Sequence, residues 1–205
     1  MKRLTQQNNN TPQHFDENFE VRSKKPVDEF DLRRWEIMVK FFKRGKLIDL
    51  GCLDSAIPFL IREKFPEAEV WGLDFSPKVI DFYQKLYPSI NYVLGNVYET
   101  KFPHNYFDYV CAGELIEHLE DPQSFLKESF RILRKGGTFV LSTPLEEEKE
   151  VGAVDKEHHI WSFSKDDINE MLKPYGNVHI KVVGSKWFPK YKYSFKNIIA
   201  FVRKI

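Results

Sequence analysis

Residues 47–55 read LIDLGCLDS: an apolar run that meets an acidic residue, Asp49, and then a glycine, Gly51. A strand ending this way must turn sharply, and Gly51 permits both the turn and a close approach of backbone to a ligand. A helix starting just beyond it would present unpaired N–H groups at its N-terminus. Turns of this kind in dinucleotide sites carry two further glycines, so that backbone can reach a pyrophosphate; here Leu53 and Ser55 stand instead. A cofactor without phosphate suffers less from that change. The stretch therefore reads as a cofactor turn whose glycine pattern leaves the ligand open.

Outward from this turn, strand-like and helix-like runs alternate. The patterning predicts strands over 46–50, 69–73, 90–94, 107–112 and 137–142, and helices over 56–64, 77–86, 121–133 and 165–173, with two closing strands near 178–183 and 197–203. Such alternation specifies an α/β, doubly wound, mainly parallel sheet. The last two strands have no helix between them and are expected to pair as an antiparallel edge hairpin. In sheets of this class ligands bind at the carboxyl ends of the strands, where strand order reverses. Asp74 closes the second strand in VWGLDFS, at the spacing where an acid accepts hydrogen bonds from ribose hydroxyls.

The chain has 205 residues, 42% apolar and 15% aromatic, ample for one buried core. Its 31 basic and 30 acidic residues nearly cancel, so bulk charge favours neither nucleic acid nor a membrane surface. No acid follows Glu170, however, while Lys173, Lys181, Lys186, Lys190, Lys192, Lys196, Arg203 and Lys204 do, which makes one end locally basic. The segment KWFPKYKYSFK (186–196) suits stacking on bases with phosphate contact, and equally a solvated hairpin with aromatic residues packed on the sheet. Two cysteines without metal-type spacing make neither a disulfide framework nor a zinc cluster. No signal peptide or membrane-length apolar run is present, and the expectation is a cytoplasmic protein with reduced thiols. Residues 1–27 read as a mobile polar leader, poor in the apolar side chains that offset ordering entropy. Residues 28–205 read as a single domain entered through a helix over 28–43, with acid at its start and base at its end.

Residues 94–144 carry four motifs in order: the strand FDYV (107–110), the segment EHLEDP (117–122), a helix ending in LRKGG (133–137) and a strand ending in STP (142–144). With Asp49, Gly51 and Asp74, this segment resembles the class I S-adenosylmethionine-dependent methyltransferases, especially the type 11 and ubiquinone-pathway O-methyltransferase-like subgroup. The likeness spans roughly residues 45–175 and implies a seven-stranded Rossmann-like sheet and S-adenosylmethionine as cofactor. It implies that Asp49, Gly51 and Cys52 lie along the methionine part, that Asp74 binds the ribose, and that Phe75 packs near the adenine. Asn96 and Val97 stand where the family reads the adenine edge, Asn96 in place of the usual Asp; its amide oxygen can still accept a hydrogen bond. Glu114 and Leu115 face the sulfonium end. Asp49 and Asp74 can also be read as ordinary helix-capping or turn residues, and Cys52 and Cys111 as small buried apolar ones.

Two further histidine positions follow the same resemblance. Glu114, Glu117 and His118 form ELIEH, and His158 and His159 follow in KEHHIWSFS. The element resembles one that holds a divalent metal beside the acceptor hydroxyl in related O-methyltransferases, which makes Glu114, Glu117, His118 and His159 the candidate ligands. The alternatives are His118 or His159 as a metal-free general base, or packing roles for both; the metal is the lesser reading. The acceptor pocket is expected between the first helix around Arg33, Arg34 and Trp35, residues 114–118 and residues 158–163. The reading favoured is methyl transfer to an oxygen or nitrogen of a small-molecule acceptor, with nucleic acid and membrane not expected as partners. Two rivals remain: a pseudoenzyme serving as an interaction module, suggested by Leu53, Ser55 and Asn96, and an RNA methyltransferase, suggested by the basic aromatic segment and the paired histidines His158 and His159.

Overall fold

A computed structural model describes residues 1–5, 7–22, 27–53, 55–145, 158–184 and 196–205. The segment 186–195 of the basic aromatic stretch lies outside them. Strand β2 (Lys46–Leu50) is the centre of the molecule. Its apolar residues are buried on both faces, Leu47 in one core and Ile48 and Leu50 in the other, which is why the run is continuous rather than alternating. Around it stand β3 (Glu69–Asp74), β4 (Asn91–Leu94), β5 (Phe107–Gly113), β6 (Leu133–Pro144), β8 (Gly176–Gly184) and β9 (Lys196–Lys204). The order across the sheet is β4-β3-β2-β5-β6-β9-β8. Every pairing from β4 to β6 is parallel; β9 runs antiparallel to both β6 and β8. The expected antiparallel pair is present, and β9 is inserted inside β8 rather than lying outermost.

Helices α2 (Glu29–Met38) and α3 (Ile57–Lys64) pack Trp35, Met38, Ile57 and Ile61 on one face of the sheet. Helices α5 (Pro122–Ile132) and α6 (Lys165–Leu172) bury Phe125, Phe130, Ile168 and Leu172 on the other. Helix α4 (Pro77–Leu86) begins at Ser76, whose hydroxyl accepts from the Val79 N–H; Asp121 caps α5 in the same way, and Ser164 with Asp167 makes a reciprocal capping box on α6. Among the described residues, no helix is long and apolar enough to cross a membrane.

Several boundaries differ from expectation. The helix predicted to reach residue 43 ends at Met38: Lys40 and Phe42 donate to carbonyls three residues back, and Gly45, at φ +100°, turns the chain into β2. Leu133, expected to close α5, instead opens β6, which shifts register on β5 between Phe107 and Tyr109 and so absorbs the residues up to Gly137. The polar leader carries two elements that composition did not anticipate. Strand β1 (Lys2–Arg3) pairs antiparallel with β7 (Trp161–Ser162), and helix α1 (Pro12–Arg22) buries Phe19 against Phe82 and Tyr83 of α4. Its start has a local signal: the Thr11 hydroxyl accepts from the His14 N–H, and Pro12 occupies the first helical position.

Candidate functional site

The strand order reverses between β2 and β5, since β3 leaves on one side of β2 and β5 lies on the other. Gly51 follows β2 there at φ +69°, and its N–H and that of Cys52 donate to the Leu73 carbonyl at 2.8 and 3.1 Å. A Cβ at Gly51 would stand 2.8 Å from the Leu115 side chain, so the turn and the close packing both require glycine. Cys52 is buried; Leu53 is half-buried and sends its N–H to Asp74 Oδ2 at 2.9 Å. Asp74 Oδ1 takes the Ser76 N–H at 2.9 Å. The carboxylate at the end of β3 is thereby fixed by two backbone donors, one from each loop that it joins.

Asp49, on β2, is 1% exposed, and its Oδ2 has no hydrogen-bond partner. Burial pushes its carboxyl up to about 7; the hydrogen bond with Ser55 and the charge of Arg34 pull the other way without prevailing. This buried acid stands one residue before the end of β2, where β2 is still paired with β5 through Asp49 and Cys111. Further along the rim, Phe75 is partly exposed. Asn96 is exposed, its Oδ1 accepting the Tyr98 N–H at 2.9 Å, and Val97 is half-buried on the core.

The end of β5 supplies the opposite wall. Glu114 sits in the left-handed region at φ +51°, its N–H donating to the Ser142 carbonyl at 3.0 Å. A non-glycine residue held there is strained, and such residues gather at functional sites. Its carboxylate lies 3.0 Å from Arg34 Nη1 and accepts from the Ser142 hydroxyl at 2.8 Å. Arg34, 5% exposed, also pairs with Asp31 at 2.6 Å. Burial opposes its charge, but Glu114 and Asp31 outweigh that and hold the guanidinium charged.

Glu117 lies deeper, 1% exposed. Its Oε2 accepts from the Thr143 hydroxyl at 2.9 Å and its Oε1 has no partner. Burial first, and Glu114 second, raise its carboxyl well above the ordinary range. His118 Nδ1 lies 2.9 Å from the His158 carbonyl; a carbonyl only accepts, so Nδ1 carries the proton and Nε2 is the basic nitrogen of the neutral ring. The rings of His118 and His159 meet edge to face at 4.8 Å. Ile160 N–H donates to the Glu117 carbonyl at 2.8 Å, which pins residues 158–160 against the 116–118 turn.

Three of the four residues expected as metal ligands, Glu117, His118 and His159, thus present ligand atoms within 4.8 Å of one another. Glu114 is turned instead to Arg34. The structure also brings in residues that the sequence did not single out as functional: Ser142 and Thr143, whose hydroxyls hold Glu114 and Glu117, and Asn10, His14 and Asp16 from the leader. The STP tripeptide was a signal for the first two. Nothing in the leader's composition pointed to the rest.

Residues 48–141 match a family model described as a methyltransferase domain. Over 98 residues the chain is 39% identical to a protein of Mycolicibacterium smegmatis described as a "Probable S-adenosylmethionine-dependent methyltransferase", covering 48% of this chain and 37% of that one. Over 100 residues it is 34% identical to a demethylmenaquinone methyltransferase of Lysinibacillus sphaericus, covering 47% of this chain and 43% of that one. The chain therefore spans less than half the length of these curated relatives. Among solved structures, a chain of the complex between the Haloferax volcanii Trm112 methyltransferase activator and a methyltransferase superposes with a TM-score of 0.74 at 18% identity, over 93% of this chain and 98% of that one, which speaks for the fold.

Proposed function

From the premise that this chain carries a class I S-adenosylmethionine-dependent methyltransferase domain, we propose that it transfers a methyl group from S-adenosylmethionine to an oxygen or nitrogen of a small-molecule acceptor. The observation that supports the reading is the pair of carboxylates at the switch point, Asp49 beside the Gly51 turn and Asp74 at the end of β3. Asp74 takes the ribose hydroxyls, its carboxylate oriented by the N–H groups of Leu53 and Ser76. Asp49, Gly51 and Cys52 line the methionine part. Phe75, Asn96 and Val97 border the adenine, and Glu114 and Leu115 the sulfonium end.

The cofactor supplies a methyl carbon already activated on a sulfonium, which departs as a neutral thioether. The protein's own contribution is then chiefly alignment of the acceptor's lone pair behind that carbon. His118, with Nδ1–H held by the His158 carbonyl, offers Nε2 to receive the acceptor's proton, and His159 stands beside it. Arg34 pairs with both Glu114 and Asp31 on this wall. A divalent cation would also fit Glu117, His118 and His159, whose donor set of one carboxylate and two imidazoles suits a transition metal. It would lower the pKa of an acceptor hydroxyl.

Calorimetric titration with S-adenosylmethionine, S-adenosylhomocysteine and NAD tests the cofactor. Binding of the first two and not the third is expected, and no response to either at millimolar concentration would refute the reading. Transfer of labelled methyl to a panel of small hydroxylated and amino acceptors, with and without chelator, then tests the acceptor class and separates His118 as base from His118 as ligand.

A further inference from the structure

The leader lies across the carboxyl end of the sheet and is fastened on both sides of the crevice. On the acceptor side, β1 pairs with β7, the Leu4 N–H donates to the Ile160 carbonyl at 2.8 Å, and Arg3 lies over the Trp161 ring while pairing with Glu120 at 2.9 Å. The terminal ammonium meets Asp167. In the middle, Asn10 Nδ2 donates to the His158 carbonyl at 2.8 Å and the His118 carbonyl at 3.3 Å, and the His14 ring sits 4.6 Å from that of His158. Asn10 Oδ1 is buried without a partner. On the far side, Phe15 packs on Phe75 at 5.4 Å, and Asp16 Oδ1 accepts from the Ser76 hydroxyl and from the Lys78 N–H at 3.3 Å. Lys78 Nζ donates to the Asp16 carbonyl at 3.1 Å, and Phe19 is buried on α4.

Ser76 joins this fastening to the site beneath it. Its N–H goes to Asp74 and its hydroxyl to Asp16, so two carboxylates share the N-terminus of α4, where the helix dipole favours negative charge. A ligand moving into or out of the crevice between Phe75 and His158 has to pass under a strap that contacts both.

We propose that residues 1–5 and 7–19 roof the site, that the Asp16 clasp on Ser76 and Lys78 gates passage of the cofactor, and that the roof restricts the acceptor to a molecule small enough to lie beneath it. The inference rests on the cofactor reading above. A strap of mostly polar residues, held by hydrogen bonds and the rings of Phe15 and Phe19, opens without unfolding the domain under it. The same seating denies entry to a polymer, whose backbone would have to thread the gap.

The test is stopped-flow binding of S-adenosylhomocysteine to the full chain. Asp16→Ala and Asn10→Ala release the strap at different points, so that either carries the test if the other fails to fold. Both are expected to raise association and dissociation rates about tenfold, the loss of one or two hydrogen bonds to charged or buried groups, with the ratio of the rates changing less. Amide exchange at Ser76 and Lys78 should quicken in Asp16→Ala. Wild-type rates in both variants would overturn the roof and leave the cofactor reading intact. No binding by any of the three proteins would overturn both. Transfer of labelled methyl to RNA by the wild type would overturn the restriction on acceptor size.

Discussion

Asp49 gives the sharpest test of the site because its protonation and its proposed role are linked. Its carboxyl titrates near 7 in the folded protein, against a reference value of 3.8, because burial penalises the charge more than Ser55 and Arg34 relieve it. The methionine part of S-adenosylmethionine carries an ammonium and a sulfonium, and an ionised Asp49 is the partner that such cations favour. If only the ionised form binds, the apparent dissociation constant scales as one plus the ratio of protonated to ionised acid. Affinity at pH 6 is then about tenfold weaker than at pH 8, and at pH 5 about a hundredfold weaker. Calorimetry at pH 6 in two buffers of different ionisation heat should show about one proton released per ligand bound. Stability changes with pH in the opposite direction to affinity. Between pH 4 and 7 the folded form holds a proton that the unfolded form has lost, so this group's contribution is full below pH 4 and lost as pH rises to 7, by on the order of 4 kcal/mol. Asp49→Asn should abolish both the pH dependence of binding and the proton release. A wild-type affinity that stays flat from pH 5 to 8, or an identical slope in the asparagine variant, would refute the assignment of Asp49 to the cationic end of the cofactor.

Asp74→Ala removes the acceptor of two backbone N–H groups as well as the proposed ribose ligand, and is expected to weaken S-adenosylhomocysteine binding at least tenfold, about 1.5–3 kcal/mol, by calorimetry; unchanged affinity would remove it from the site. Leu53→Gly takes a side chain from the position of closest approach and should tighten binding severalfold despite the greater freedom of the unfolded chain. A level or weaker affinity would place Leu53 away from the ligand. Glu128 answers to acid: burial raises its carboxyl, but hydrogen bonds from Arg131 and Thr100 outweigh this and hold it down to about 2. Its stabilising effect is present above pH 4.5 and lost as pH falls through 2, so acid titration should unfold the wild type with a larger loss of stability over that range than Glu128→Gln. Parallel curves would show that the Glu128 network contributes nothing.

The architecture was legible in the sequence because its signals are local. The period of apolar residues, Gly51 after Asp49, and the order of strands and helices give the doubly wound sheet and the position of its switch point. The boundaries at Met38 and Leu133 were not legible, since a turn at Gly45 and a register shift beside Phe107 answer to neighbours across the sheet. Nor was the pairing of Glu114 with Arg34, of Glu117 with Thr143, or of His118 with the His158 carbonyl, because each joins side chains and backbone separated by 26 to 80 residues. The leader shows the limit most plainly. Its composition predicts a mobile segment, while its described residues form β1 and α1 against the rest of the chain. Only the folded domain offers Phe82, Ser76 and the edge of β7 for it to lie against, and burial and hydrogen bonding supplied by another part of the chain decide its place over the site.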